Sequence, residues 1–96
     1  MKVVLNNGYE LNPSRVYRGY QPQTNTIELN LEFNKGFDFD ELITKLPRSE
    51  TSLTITDKDK TEEYTGFTLL NLYDALDSGE VSRITYSKEA TVTETE

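Results

Sequence analysis

Histidine, cysteine and tryptophan are all absent from this 96-residue chain, and each absence removes a class of chemistry. Without imidazole there is no Ser-His-Asp triad and no side chain that ordinarily shuttles protons near neutral pH. Without thiolates there is no cysteine nucleophile, no cysteine-ligated zinc and no disulfide framework, so burial has to hold the fold together. No phosphate loop, dinucleotide fingerprint or nucleophile elbow can be read. The expectation is a protein that is not an enzyme and takes no cofactor or metal. Basic residues are also scarce, ten Lys and Arg against seventeen Asp and Glu for a formal net charge of −7. That balance argues against direct nucleic-acid binding, which relies on cations that displace counterions, and it favours a basic partner. Long apolar runs are missing too. None approaches the roughly 20 residues needed to cross a bilayer, and no basic-plus-apolar leader is read at Met1–Leu5, so a soluble chain with no membrane partner is expected.

What is present suits one compact domain, too short for two independent cores. Val3–Leu5 and Tyr9–Leu11 flank Asn6-Asn7-Gly8, a hairpin signal because Asn-Gly tolerates positive φ at both central residues of a tight turn. Asn12-Pro13-Ser14 reads as a turn, Arg15–Tyr20 as a short strand and Gln21–Asn25 as a polar loop. Ile27, Leu29, Leu31 and Phe33 alternate with Glu28, Asn30 and Glu32, the period of two of a strand with one face on a core and the other in water. Next comes a helix-start signal: Phe37 and Leu42 as a hydrophobic staple around Asp38 at the N-cap and Glu41 three residues on. Phe39, Leu42, Ile43 and Leu46 would line the buried face, and Pro47 stops the helix. Leu53 and Ile55 mark another strand, which turns at Asp57-Lys58-Asp59-Lys60 into Glu62–Leu72, where Gly66 shifts the alternation as a bulge would. Asn71–Leu76 reads as strand end or helical turn, and Val81–Ser87 as a final strand.

The predicted fold class is α+β, mainly antiparallel β-sheet with one short helix, about residues 38–46, packed on it. Residues 1–87 form the domain, and 88–96 form a Thr- and Glu-rich tail expected to fray. The core is expected from Val4, Leu11, Ile27, Leu29, Leu31, Phe33, Phe39, Leu42, Ile43, Leu46, Leu53, Ile55, Phe67, Leu69 and Ile84.

Four groups of residues invite a functional reading. Asp57-x-Asp59-x-Thr61 has oxygens at alternate positions, as calcium loops do, but Glu62 and Thr68 stand where such a loop needs Gly and an acid, so a solvated turn is preferred. Asp38 and Asp40 could pair for acid–base work, yet capping already accounts for Asp38. Arg15, Tyr17, Arg18 and Tyr20 form the basic and aromatic cluster, with Arg15 and Tyr17 on one strand face and Arg18 and Tyr20 on the other. They suit a contact with a protein, or a charge-blunted sheet edge; a sugar-binding use of the tyrosines ranks behind, for want of tryptophan. Acidity is concentrated downstream, because residues 1–37 hold four basic against three acidic side chains. Glu62, Glu63, Asp74 and Asp77, with Glu80, would present a row of negative charge, either for solubility or as a phosphate-backbone mimic.

Several segments carry a resemblance: Leu5-Asn6-Asn7-Gly8 through Leu11-Asn12-Pro13, the strand ending Leu29-x-Leu31-x-Phe33, Phe39-Asp40-Glu41-Leu42, and Leu53-Thr54-Ile55-Thr56-Asp57 followed by Tyr64-Thr65-Gly66-Phe67-Thr68-Leu69. In pattern and order they resemble small phage and prophage proteins of Gram-positive bacteria, of the kind encoded near tail and baseplate genes. The resemblance carries no catalytic signature. It implies a non-enzymatic protein that works by association, an accessory tail or baseplate component with a phage structural protein as partner and homo-oligomerisation open to it. Such a protein would reside in the bacterial host cytoplasm and, once assembled, in the virion. The alternative is a small acidic inhibitor of a host defence nuclease, of anti-CRISPR or anti-restriction type, whose partner would be a basic host protein.

Overall fold

Alternation of apolar and polar residues is the commonest local pattern in the chain, and the computed structural model turns it into strands. It describes residues 1–34, 39–47, 49–73 and 82–90. In order these are β1 (Lys2–Leu5), β2 (Glu10–Leu11), β3 (Arg15–Gln21), β4 (Thr26–Phe33), α1 (Phe39–Lys45), β5 (Thr51–Asp57), β6 (Lys60–Tyr73) and β7 (Ser82–Glu89). Every pairing is antiparallel, and the strands form a seven-stranded sheet in the order β2-β1-β5-β6-β7-β4-β3. The protein is therefore mostly antiparallel sheet with one short helix.

The 14-residue β6 organises the whole. Lys60–Phe67 pairs with β5 along one edge, and Thr68–Tyr73 pairs with β7 along the other. At the changeover Thr51 opposes Phe67 while Leu53 opposes Tyr64, so β6 holds one extra residue where Gly66 takes φ +78°. The bulge expected at Gly66 is present, and glycine suits it because positive φ brings a Cβ into conflict with the backbone. A second irregularity, between Leu69 and Asn71, leaves Leu70 57% exposed. The sheet bends across these points, and its halves bury a single core: Val3, Leu5, Leu11, Leu53 and Ile55 from one, Leu29, Leu31, Ile84 and Tyr86 from the other, with Phe67 at the corner.

Several expectations change. The first hairpin forms, but Gly8 N–H donates to the Leu5 carbonyl and Leu5 N–H to the Tyr9 carbonyl, with positive φ at Gly8 and not at Asn7. The loop is thus Asn6-Asn7-Gly8 rather than a two-residue Asn-Gly turn, the form in which a type I turn is completed by a left-handed glycine. In β1 the buried residues are Val3 and Leu5, and Val4 is only half-buried on the opposite face. On α1, Leu42 and Leu46 enter the core while Ile43 is 43% exposed. The seven-residue helix is oriented by the first hairpin: Asn7 Nδ2 donates to the Lys45 carbonyl at 2.8 Å, and the Tyr9 hydroxyl to Glu41 Oε2 at 3.3 Å. Asn71–Tyr73 is strand. β7 continues through Lys88 and Glu89, into the segment expected to fray. There Ala90 N–H donates to the Asn25 carbonyl and Asn25 Nδ2 to the Ala90 carbonyl. The staple and cap assigned to Phe37 and Asp38, and Val81, lie outside the described residues.

Candidate interaction surface

Among the described residues β3 is the last strand of the sheet, hydrogen-bonded to β4 and to no other strand. The register sets Arg15 opposite Glu32 and Tyr17 opposite Asn30, with Val16 opposite Leu31 and Arg18 opposite Leu29. Because Leu29 and Leu31 face the core, Val16, Arg18 and Tyr20 share the inner face while Arg15, Tyr17 and Gly19 share the outer one. The split of this cluster across the strand is thus as the sequence indicates.

On the outer face Asn30 and Glu32 of β4 are not in water, contrary to expectation, while Glu28 is half-buried. Glu32 and Asn30 are 9% and 8% exposed, because β3 and β7 flank β4 and lay long side chains over it. Arg15 Nε lies 3.7 Å from Glu32 Oε1, Arg83 Nη2 3.5 Å from Glu32 Oε2, and the Tyr17 hydroxyl donates to Glu32 Oε2 at 3.0 Å. The Arg15 guanidinium also lies 5.5 Å from the Tyr17 ring centre, within range for a cation–π contact. Next along, the Thr85 hydroxyl donates to Asn30 Oδ1 at 2.9 Å. Partial burial, then the bond to Glu32, raises the Tyr17 phenol pKa above its ordinary value. The Arg83 Nε is buried with no hydrogen-bond partner among the described residues. Tyr73, opposite Arg83 across the β6–β7 ladder, and Tyr17 stay exposed at 42% and 36%.

The inner face opens as a cleft of about 430 Å³ between β3 and the β5–β6 hairpin. Arg18 lies over the Tyr64 ring at 5.8 Å, and the Tyr64 hydroxyl donates to Glu62 Oε1 at 3.1 Å. Partial burial, followed by that bond, raises the Tyr64 phenol pKa. At the far end of β3 the Tyr20 hydroxyl donates to Asn25 Oδ1 at 2.7 Å, while the ring remains 52% exposed.

The acidic row fares differently. Glu62 opposes Ile55 and Glu63 opposes Thr54, so Glu62 points towards the cleft and Glu63 away from it, and the two do not share a face. Asp74 and Asp77 lie outside the described residues. The calcium candidate is a two-residue hairpin loop, Lys58-Asp59, closed by the Asp57–Lys60 pair; among the described residues no three carboxylates cluster as a metal site would require. No described helix is long and apolar enough to cross a membrane.

Sequence reasoning missed Glu32, Tyr64, Tyr73 and Arg83. Locally Glu32 and Tyr64 read only as alternating strand positions, and Arg83 reaches Glu32 through a pairing of distant segments that no local pattern reveals. No protein-family model, curated protein or solved structure matches the chain.

Proposed function

We propose that this protein acts by association with another protein, without catalysis, and that it serves as an accessory tail or baseplate component of a phage or prophage. One observation carries the association reading. A seven-residue edge strand, β3, bears Arg15, Tyr17, Arg18 and Tyr20 and, among the described residues, has a strand neighbour on one side only. Tyrosine and arginine are the side chains that most often anchor protein interfaces, and an open strand edge offers unpaired main-chain groups to a partner. The phage assignment is supported by the order of segments from Leu5 to Leu69 described above.

The test is co-purification. Tagged chain expressed during infection or prophage induction is expected to sediment with virions or isolated tail modules, and to be detected there by immunoblot after washing in high salt. Absence from purified particles overturns the tail assignment. Failure to retain any protein from the same cells overturns association itself.

A further inference from the structure

The free edge of β3 and the cleft beside it form one groove. Val16 and Arg18 project to the inner face and Tyr17 to the outer face, yet all three line the same cleft, with Ile55 and Tyr64 across from them. Three consecutive residues of β3 border the cleft, so it runs along that strand. The groove therefore has a wall of main-chain donors and acceptors and a floor that includes Met1, Val16, Ile55 and Tyr64. These are the two components of strand addition, in which main-chain bonds give affinity and alternate side-chain pockets give specificity.

Charge identifies the occupant. The protein is acidic, at −7, but β3 carries Arg15 and Arg18 and no acid. The Arg15 side chain is 71% exposed despite its contact with Glu32, and Arg18 stacks on Tyr64 while no ion pair to it occurs among the described residues. Of the acids on the groove wall, Glu62 accepts from Tyr64, and Asp57 stands across the ladder from Lys60, whose charge is of opposite sign. A second copy of β3 fits poorly, because antiparallel pairing centred on Arg18 sets that arginine against its own copy, and like charges directly opposite are destabilising.

We propose that this groove binds an extended acidic segment of a partner protein by strand addition to β3, with alternate apolar side chains in the cleft on the inner face and alternate carboxylates on the outer face against Arg15, Arg18 adding positive charge at the cleft. The proposal rests on the association reading and supplies its mode and chemistry. It predicts that a labelled synthetic peptide of alternating Val and Glu binds the full chain in fluorescence anisotropy, and that replacing Glu by Lys weakens binding at least about tenfold. On saturation with the Val-Glu peptide, amide hydrogen exchange is expected to slow in residues 15–21 more than in any other strand. The double variant Arg15→Glu with Arg18→Glu should reverse the preference in favour of the Lys peptide. The exchange measurement on the unaltered chain keeps the test sound if that variant fails to fold. No peptide binding, protection centred elsewhere, or protection of residues 15–21 through dimerisation without peptide would each overturn the proposal. A partner recovered from cells that leaves β3 exchange unchanged overturns strand addition while leaving association standing.

Discussion

Tyr86 is fully buried, and its hydroxyl has no hydrogen-bond partner among the described residues. A buried polar group without a partner gives up hydration and gains nothing in return. Tyr86→Phe is therefore expected to raise stability by about 0.5–1.5 kcal/mol, read as a higher urea midpoint at pH 8. Burial also pushes the Tyr86 phenol from 10.0 up to about 12. Below pH 10 both folded and unfolded chains keep that proton. Between the two values the unfolded chain has lost it and the folded one has not, so stability falls as pH rises through this window. Tyr17 and Tyr64, also raised, act in the same direction. Tyr86→Phe should thus lose less stability between pH 8 and pH 11 than the unaltered chain, and one late phase should disappear from its tyrosine absorbance titration. If the hydroxyl matters to the core in some other way, the variant will be the less stable of the two at pH 8.

At the scale of elements, the helix tests how far periodicity can be trusted. Phe39, Leu42, Ile43 and Leu46 fit one face by spacing, yet Leu42 is 3% exposed and Ile43 43%. The Asn7 and Tyr9 contacts to α1 fix its rotation, and they come from a hairpin that the spacing of the helix knows nothing about. Leu42→Ala is expected to cost about 2–5 kcal/mol and Ile43→Ala less than about 0.5 kcal/mol, compared by chemical denaturation. Equal losses would mean the helix sits in another orientation. In β6, a Cβ on Gly66 would meet, among the described residues, Glu50 Oε2 at 3.8 Å and Lys88 Cδ at 3.9 Å, which is ordinary contact. The cost of Gly66→Ala is then backbone strain at φ +78°, about 1–2 kcal/mol, and a shift in melting temperature measures it. Here local reading succeeded: a glycine that breaks an alternation marks a bulge wherever the strand ends up. For β1 it could not, because Val3, Val4 and Leu5 are all apolar and show no face. The pairing of Val3 with Ile55 and Leu5 with Leu53 decided which two went inside.

For the molecule as a whole, the dominant property is the distance in sequence between paired segments. β4 pairs with β7 from Thr26–Glu89 to Phe33–Ser82, and β1 pairs with β5 from Lys2–Thr56 to Leu5–Leu53. Each pairing closes a long loop before it gains any contact, so folding is expected in milliseconds to seconds rather than microseconds. Stopped-flow tyrosine fluorescence measures this, and a submillisecond phase carrying the full amplitude would refute it. The same remote pairing builds the candidate surface. Glu32 is covered only because β7 delivers Arg83 beside it while β3 delivers Arg15 and Tyr17. The cleft exists only because the bend in β6 brings its hairpin with β5 up to the edge of β3.

The sequence by itself determined the local facts: where strands alternate, that α1 stops before Pro47, where β6 bulges, that β3 would split its arginines and tyrosines between two faces, and that imidazole and thiol chemistry are unavailable. These depend on residues within a few positions of one another, where backbone geometry and side-chain spacing act directly. Tertiary structure alone decided which strand lies at the edge, which apolar residues of β1 and α1 are inside, and that Glu62 and Glu63 part company. Those outcomes depend on how segments as far apart as Asn30 and Thr85, 55 residues distant, bury their apolar faces together. Burial is a property of the assembled sheet, and no short stretch of the chain contains it.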